Sequence, residues 1–435
     1  MSYSVFFIIL SLFVYLSFVV GKQSSSANKN QLDYYLGGRK VGFFNLTLTL
    51  LATQLGGGVI VGSAESAYLY SWYAIYYALG LSLGLLVLSC GIGAAFRRLE
   101  VSTISEIFEK VYHSPTLRKL SSILSIFSLF LILIAVGVSA KQFFSYIGYD
   151  NPYVFVALWF MMLFYTVLGG YSAVVKTDVI QVLYILIVFL ITGLFIFFFS
   201  ANSINEVTEP ITILSKDPRI PWTSWLLAPM FYIIIGQDMG QRCFSAYSSK
   251  IVSKAALMTG LLLFSSSLLP LYLGIKASTL GLAALKQGSI VMIAVETLTN
   301  PTLTALFACA LIMAIVSTAD SLLCSISSNI ALDFPFLDSL NKERKMVACR
   351  FITMVIGLGA LVLSFLTDEI IPLMVLAYEL TVSIVFVPVI LSILYKKPPK
   401  QAAFVSMILG SLSFILFTGL DMTDNRQIFS LLFSL

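Results

Sequence analysis

The feature that most constrains how this chain can fold is a series of apolar segments, each long enough to cross a lipid bilayer. A spanning helix needs about 20 mainly apolar residues, and about twelve segments approach or exceed that length. They cover residues 3–20, 43–69, 72–96, 118–147, 152–168, 172–199, 222–240, 255–275, 301–330, 346–367, 370–395 and 401–419. Because 59% of the 435 residues are hydrophobic and 11% are charged, a soluble fold could not bury so much apolar surface. The sequence predicts an all-α membrane protein with about twelve transmembrane helices.

The basic residues lie mostly on one side of these spans, which predicts an orientation. With loops assigned to alternate sides, six of the 26 Lys and Arg residues fall on one side, namely Lys141, Lys216, Arg219, Lys276, Lys286 and Arg426. The other 20 fall on the side that the positive-inside rule assigns to the cytoplasm. We therefore expect a multi-pass protein of a plasma or bacterial inner membrane with its N-terminus outside. The loops are too short for a soluble domain, and no charged tail suggests a nucleic-acid partner.

The sequence also predicts the structure of two regions outside the spans. The moderately apolar stretch 277–299 is predicted to be a surface or re-entrant helix over the outer mouth of the protein. The apolar tail 427–435 is too short to cross a bilayer, so it is expected to be the start of a thirteenth helix that this chain lacks. The lone His113 lies in a loop without a nucleophile–base set, and we do not expect an enzyme.

Three consecutive glycines, Gly56 to Gly58, interrupt the first core span. A glycine costs about 1 kcal/mol relative to alanine inside a helix, and it lets the backbone leave helical geometry. Small residues at this place would also allow close packing of helices. A discontinuous helix whose backbone groups line a site is the favoured interpretation, because polar residues flank the glycines at Thr53, Gln54, Ser63 and Glu65.

A second interruption is predicted in the span that follows residue 221. This span contains Pro229 and a polar run from Gly236 to Arg242. Counted from segment 43–69, it is the sixth core helix, and broken first and sixth helices are typical of a five-plus-five inverted repeat. We expect one transporter domain over 1–435, with an extra leading helix at 1–21, repeats at 42–200 and 221–395, and a C-terminal helix and tail at 396–435.

Four oxygen-bearing side chains crowd little more than one turn of the span 301–330, at Ser317, Thr318, Asp320 and Ser321. Ser317 and Thr318 follow Ala314 by three and four residues, so the three share a helix face. A single hydroxyl in a span usually bonds back to its own backbone. Four such side chains together favour ligands for a hard cation such as Na⁺.

Several ionisable groups lie inside predicted spans, where a charge costs about 3 kcal/mol on insertion scales. Asp178 has two structural alternatives to a functional role, a pair with Lys176 or a favourable interaction with a helix N-terminus. Asp238 could pair with Arg242, four residues further on. The remaining acidic candidates are expected to line the outer pathway or to form buried hydrogen bonds, and they are Glu65 and Glu379.

Together these segments resemble the sodium:solute symporter family over nearly the whole chain. The resemblance rests on YLGGR at 35–39, ATQLGGG at 52–58, YTVLGGYSAVVKTDVIQ at 165–181, GQDMGQR at 236–242 and VSTADS at 316–321. It implies a five-plus-five inverted-repeat fold of the leucine-transporter type with an extra N-terminal helix. It also implies a Na⁺-coupled symporter that imports a small polar organic solute by alternating access, with a monomer as the transport unit.

The resemblance also implies the residues of the sites. A Na⁺ site between the first and eighth core helices would use the carbonyls of Ala52, Leu55 and Ala314 and the hydroxyls of Ser317 and Thr318. A second Na⁺ site, found in some members, maps onto Asp178, Ser317, Asp320 and Ser321. The solute is expected beside the two helix breaks, at Gln54, Gly56, Gly57, Gly236, Gln237 and Asp238.

Within the family, GGGVIVGSAESAY at 56–68 and the Gln-Arg pair of the sixth helix are similar to the high-affinity choline transporter branch. That branch cages a quaternary ammonium between aromatic rings. Two of its cage tryptophans fall on Gln54 and Gly236 here, so choline is not expected, and Gln54 suits a polar neutral or zwitterionic solute. Two rival functions remain, a proton-coupled carrier that uses Asp178, Asp320 or Glu65, and a membrane sensor that binds solute without transporting it.

Overall fold

The computed structural model describes residues 1–147, 153–200, 222–282, 290–337, 339–368, 370–395, 398–420 and 426–435. Several basic residues used to predict the orientation lie outside this part of the chain, namely Lys216, Arg219, Lys286, Lys396 and Lys397. So do residues 283–289 of the predicted outer helix.

The described residues are almost entirely helical, as predicted. The α-helices are α1 Tyr3–Ala27, α2 Gln31–Leu36, α3 Phe43–Gln54, α4 Ser63–Tyr70, α5 Ile75–Val87, α6 Gly93–Leu99, α7 Glu106–Tyr112, α8 Pro115–Tyr146, α9 Tyr153–Phe195, α10 Trp222–Ile235, α11 Gln237–Ser245, α12 Ser249–Thr279, α13 Ile290–Leu298, α14 Pro301–Asp333, α15 Lys342–Leu363, α16 Ile371–Leu394, α17 Lys400–Gly419 and α18 Arg426–Ser434. Each predicted span lies within one long helix or across a pair of consecutive helices, and α9 contains two of the spans.

Helix α14 forms the centre of the bundle. It starts where Asn300 accepts a hydrogen bond from the Leu303 amide (2.9 Å) and Pro301 occupies the first helical position, which are strong N-terminal signals. In its most apolar 18-residue window 89% of residues are buried, against 22% for α1. The helix therefore contacts protein on all sides, while α1 packs against α9 and exposes most of its surface to lipid.

Helix α9 contains two of the predicted spans, joined by a kink at Gly170. The kink falls in the gap between segments 152–168 and 172–199, where Gly170 has φ 57° and ψ −155°. Only glycine adopts this region without strain. The same geometry brings the backbone close to α2, since a Cβ on Gly170 would lie 2.6 Å from the carbonyl oxygen of Tyr34.

Replacing Gly170 with alanine is therefore expected to destabilise the protein by at least about 2 kcal/mol, since backbone strain and overpacking each cost about 1–3 kcal/mol. Unfolding of the purified protein measures this loss. Gly193→Ala in the same helix is the matched control, because no described atom lies within 4 Å of a Cβ at that position. Equal stability of the two variants would contradict the role given to Gly170.

Both predicted helix breaks occur. Helix α3 ends at Gln54, Leu55 leaves helical geometry with ψ 56°, and a π-helical stretch, Gly58–Gly62, leads into α4. Helix α10 ends at Ile235 and α11 begins at Gln237, because Gly236 adopts an extended conformation with ψ 135°. Pro229 lies within α10 without interrupting it, so the break comes from the glycine.

A short backbone bridge connects the two broken helices at the ends that are predicted to face the cytoplasm. The Val41 amide donates to the carbonyl of Ser245 (3.1 Å), and the Tyr247 amide donates to the carbonyl of Val41 (2.9 Å). Val41 lies just before α3, and Ser245 ends α11. The first and sixth core helices are thus held together at one end and interrupted in their middle.

The two peripheral regions are helical where the structure describes them. Within 277–299, α13 is a short helix with one buried face that includes Val291, Met292 and Val295. The tail forms α18, which runs back along α17 so that Ser406 Oγ donates to the carbonyl of Ser434 (2.6 Å). The expected start of a thirteenth helix is therefore a nine-residue helix packed against α16 and α17.

Candidate functional site

A cluster of oxygen atoms lies where the broken helix α3 crosses the middle of α14. Ser317 Oγ lies 3.2 Å from the carbonyl oxygen of Ala52 and 3.0 Å from that of Ala314. Thr318 Oγ1 lies 3.4 Å from the same carbonyl of Ala52 and 3.2 Å from that of Ala314. Thr318 also approaches the carbonyl of Thr53 at 3.2 Å. All five residues are buried.

These spacings suit a monovalent or divalent hard cation. A cation about 2.4 Å from each of two oxygens at a right angle holds them about 3.4 Å apart. Leu55, whose carbonyl the resemblance adds to the set, stands where α3 leaves helical geometry, so its carbonyl departs from the axial direction of the helix. Small rotations of two hydroxyls would replace hydrogen bonds with ion contacts.

The glycines of the first break allow this close approach. A Cβ on Gly56 would collide with the hydroxyl of Thr318, and one on Gly57 would lie 2.7 Å from Ser139 Oγ on α8. Any larger residue at Gly56 would push α14 away from α3. The triple glycine thus serves helix packing and the interruption together, which sequence reasoning had treated as alternatives.

The residues proposed for a second ion site surround a buried guanidinium. Arg242 is fully buried, and its Nη2 donates to Ser321 Oγ (2.5 Å) and lies 3.5 Å from Asp178 Oδ2. Its Nε donates to the carbonyl of Thr49 (3.0 Å), whose hydroxyl donates to Asp178 Oδ2 (2.5 Å). Arg242 thus places a positive charge inside this candidate site and links α11 to α3, α9 and α14.

The other carboxylate of this cluster has a separate partner. The Tyr165 hydroxyl donates to Asp320 Oδ2 (2.5 Å), while Ser321 Oγ lies 3.4 Å from Asp320 Oδ1. Asp178 Oδ1 is buried without a hydrogen-bond partner in the described part of the chain. The site therefore combines two carboxylates with one fixed cation.

Two pairings considered from the sequence do not form in this structure. Lys176 Nζ donates to Ser24 Oγ on α1 (3.2 Å) and does not pair with Asp178. The partner of Asp178 is instead Arg242, from another helix. Arg242 Nη1 donates to the backbone carbonyl of Asp238 (2.9 Å), whereas the Asp238 carboxylate accepts from Gln54 Nε2 (3.3 Å). Both residues satisfy long-range contacts that local spacing cannot predict.

A small cavity of about 20 Å³ lies between the two helix breaks, which is room for about one water molecule. Three of the predicted solute residues line it, namely Gln54, Gly56 and Asp238. Gln237 points elsewhere, since its Oε1 accepts from the Ile104 amide (2.7 Å) and its Nε2 donates to Ser328 (3.2 Å). Gly57 faces Ser139, and Gly236 carries the break.

Sequence reasoning missed the aromatic side of this cavity. Its lining includes Tyr77, Tyr232 and Tyr378, with the rings of Tyr232 and Tyr378 4.4 Å apart and the hydroxyls of Tyr77 and Tyr378 3.4 Å apart. These tyrosines belong to α5, α10 and α16. Of the three, only Tyr232 could have been found from the sequence, because it lies one helical turn before the predicted break at Gly236.

A larger vestibule of about 500 Å³ lies beyond the cavity, on the side predicted to be extracellular. Its lining includes Glu65 and Glu379, as expected for the outer pathway. Glu379 forms a buried ion pair with Arg426 of α18. Met374 lines the cavity, and Ile371, one turn earlier on α16, lines the vestibule, so this segment separates the two spaces.

Comparison with known proteins identifies the chain. The model of the sodium:solute symporter family matches residues 34–410. The chain belongs to the sodium:solute symporter family. Membership makes this symporter a multi-pass transporter of the membrane that binds a solute and Na⁺, with Na⁺ as the implied coupling ion.

Curated relatives of this symporter are Na⁺-coupled transporters rather than enzymes. The sodium/pantothenate symporter of Haemophilus influenzae is 26% identical over 464 aligned residues, which cover 98% of this chain and 94% of that protein. The sodium/proline symporter of Staphylococcus aureus is 27% identical over 184 residues, which cover 40% of this chain and 36% of that protein.

Solved structures place this symporter in a known fold. A Na⁺-coupled sialic acid symporter, solved substrate-bound and outward-open, superimposes with a TM-score of 0.77 at 19% identity and covers 99% of this chain and 95% of its own. A nucleobase-cation-symport-1 family transporter, solved in a closed conformation, gives a TM-score of 0.60 at 13% identity over 92% of each chain. The predicted leucine-transporter-type fold is confirmed.

Proposed function

We propose that this symporter imports a small polar organic solute by alternating access, driven by one Na⁺ bound between α3 and α14. The observation that carries the proposal is the convergence of the Ala52, Ala314, Ser317 and Thr318 oxygens beside the cavity at the helix breaks. The carbonyl of Leu55 completes this site. A cation there ties the broken helix to α14, and it can act on solute binding because Thr318 and Gly56 also line the cavity.

The second candidate site, at Asp178, Asp320, Ser321 and Ser317, is proposed not to take a second Na⁺ in this conformation. Arg242 already donates to Ser321 and lies beside Asp178. A second cation would have to bind next to a buried guanidinium, where charge repulsion is strong because little water screens it. The fixed charge of Arg242 thus takes the place of a mobile ion.

The solute is proposed to bind at the cavity, at Gln54, Gly56, Gly57 and Asp238, near Gly236 and Gln237. The vestibule would face the outside, in keeping with the N-terminus outside and the basic residues inside. Closure of α16 over the breaks would separate solute from the vestibule. In this scheme the repeats, 42–200 and 221–395, rearrange around the two breaks while the transport unit remains a monomer.

Uptake into proteoliposomes tests this function. Proline and pantothenate, named in the relatives, are the first solutes to try, each under an inward Na⁺ gradient, an inward proton gradient, or neither. We expect uptake only with the Na⁺ gradient, increased by an inside-negative potential that contributes about 2.3 kcal/mol per charge per 100 mV. Uptake driven by the proton gradient alone would instead support a carrier that uses Asp178, Asp320 or Glu65.

A further inference from the structure

The buried cavity between the helix breaks presents an unsatisfied carboxylate. Asp238 Oδ2 accepts from Gln54 Nε2, but Oδ1 forms no hydrogen bond within the described residues. The neighbouring Tyr232 hydroxyl likewise meets no partner with hydrogen-bond geometry in that part of the chain, although it lies close enough to interact with the Asp238 carboxylate. Both residues line the cavity and are almost completely buried, at 3% and 2% exposure. Buried polar atoms without partners are rare in folded proteins, and two that line one cavity can both receive a ligand group.

The break at Gly236 orients this carboxylate. A Cβ on Gly236 would lie 2.6 Å from Asp238 Oδ1 and 3.0 Å from the Tyr232 ring. The carboxylate therefore sits against the unwound backbone instead of along the face of α11. Arg242, four residues later, donates to the Asp238 backbone carbonyl, and its other contacts are with Thr49, Ser321 and Asp178.

Charge balance in the middle of the bundle points the same way. Among the described residues, the buried charges near the two breaks are the carboxylates of Asp178, Asp238 and Asp320 and the guanidinium of Arg242. With all three carboxylates ionised, one Na⁺ at the cluster of Ser317 and Thr318 leaves one of them uncompensated. An uncompensated charge is costly in a membrane interior, so a cationic solute group would complete the balance.

The rest of the lining suits such a group. The rings of Tyr77, Tyr232 and Tyr378 surround the same space, and aromatic rings attract cations through their electron-rich faces. Asp238 Oδ1 can accept a hydrogen bond from a cation that carries N–H. A quaternary ammonium has no hydrogen to donate, so it would leave this oxygen unsatisfied.

We infer that the transported solute carries a primary or secondary ammonium group, which donates to Asp238 Oδ1 and packs against Tyr77, Tyr232 and Tyr378. The inference deepens the proposed function and rests on it. It narrows the polar neutral or zwitterionic solute expected from Gln54 to one with a positively charged, N–H-bearing nitrogen.

Matched probes on the purified full-length protein test this class. The probes are pyrrolidine, cyclopentanol and N,N-dimethylpyrrolidinium, followed by benzylamine, benzyl alcohol and benzyltrimethylammonium, each at millimolar concentration. The measurement is thermal stabilisation with and without Na⁺, which reports binding to the native state. We expect Na⁺-dependent stabilisation by both amines. The alcohols and quaternary ions should bind at least about tenfold more weakly, because only the amines can donate a charged hydrogen bond to Asp238.

Asp238→Asn should weaken amine binding by about tenfold or more while leaving the alcohols unchanged, since it removes charge at constant shape. Ser392→Ala is the control, because the Ser392 hydroxyl donates to the carbonyl of Val389 in its own helix. This variant should bind amines and alcohols as the wild type does. If Asp238→Asn does not fold, two other measurements test the inference. They are amine binding to Tyr232→Phe and the comparison of amine with alcohol binding to the wild type.

The inference is wrong if the amines do not stabilise the protein, if the alcohols or quaternary ions bind as tightly, or if Asp238→Asn binds amines normally. Failure of the proposed function has a different signature. Radioactive ²²Na⁺ binding without any probe would then be absent, or every probe would bind equally with and without Na⁺.

Discussion

Replacing both Ser317 and Thr318 with alanine is expected to weaken Na⁺ binding by about two orders of magnitude. A hydrogen-bond-type contact to a charged group contributes about 1.5–3 kcal/mol, and each 1.4 kcal/mol is about a factor of ten in affinity. The double variant loses both side-chain ligands and keeps only the carbonyls of Ala52, Leu55 and Ala314. Equilibrium binding of ²²Na⁺ measures the change, and so does the Na⁺-dependent gain in thermal stability.

The control for this variant is Thr166→Ala, because Thr166 is also fully buried in a spanning helix and donates to the carbonyl of Met162 (2.8 Å). Its Na⁺ affinity should equal that of the wild type. Ser321→Ala should likewise keep the Na⁺ affinity, if Arg242 rather than a second ion satisfies that hydroxyl. Normal Na⁺ binding by the double variant would show that Na⁺ does not bind at Ser317 and Thr318. If the wild type binds two Na⁺ and Ser321→Ala binds only one, the second Na⁺ site exists.

Arg242→Gln is expected to cost about 3–5 kcal/mol of unfolding free energy, the usual penalty for removing one partner of a buried ion pair. Asp178 and Asp320 would then share the bundle interior without a counter-charge. The added change Asp178→Asn removes one of these charges, so the double variant Arg242→Gln/Asp178→Asn should regain part of the loss. Recovery remains partial, because the guanidinium also donates to the carbonyls of Thr49 and Asp238.

The measurement is a double-mutant cycle on unfolding in mixed micelles, in which the coupling between the two sites is read directly. Arg98→Gln, an exposed residue of α6, controls for loss of charge alone and should change stability by less than about 0.5 kcal/mol. A double variant less stable than Arg242→Gln by the full cost of Asp178→Asn would show that the two side chains do not interact.

The path of the chain through the membrane followed from local chemistry. Apolar length located the long helices and the helix pairs, because a bilayer imposes the same requirement on each span. The triple glycine at Gly56 to Gly58 and the polar run that begins at Gly236 located the two helix breaks, because unusual backbone geometry favours glycine. The kink at Gly170 was not predicted, since the sequence analysis treated the segments on either side of it as separate spans. Pro229 was a weaker guide, since neighbouring helices in a membrane protein can satisfy the backbone groups that proline frees.

Contacts between distant segments could not be predicted in this way. Helical periodicity shows that Ser317 and Thr318 share a face with Ala314, but it does not show what that face meets. A pair of Arg242 with Asp238 was one alternative because the two are four residues apart, yet the charge of Arg242 pairs with Asp178, 64 residues away. The tyrosines of the cavity come from three separate helices and become neighbours only in the folded bundle.

The narrow cavity between the helix breaks has a consequence for how solute affinity can vary. At about 20 Å³ it cannot hold a solute, so binding draws on molecules in which α16 has moved away from Gly58 and Gly62. The apparent dissociation constant is then the intrinsic one divided by the fraction of such molecules. Side chains at this contact, Met374 and Ile371, set that fraction. They would scale the affinity for all solutes together, leaving the choice between solutes to Asp238 and the tyrosines.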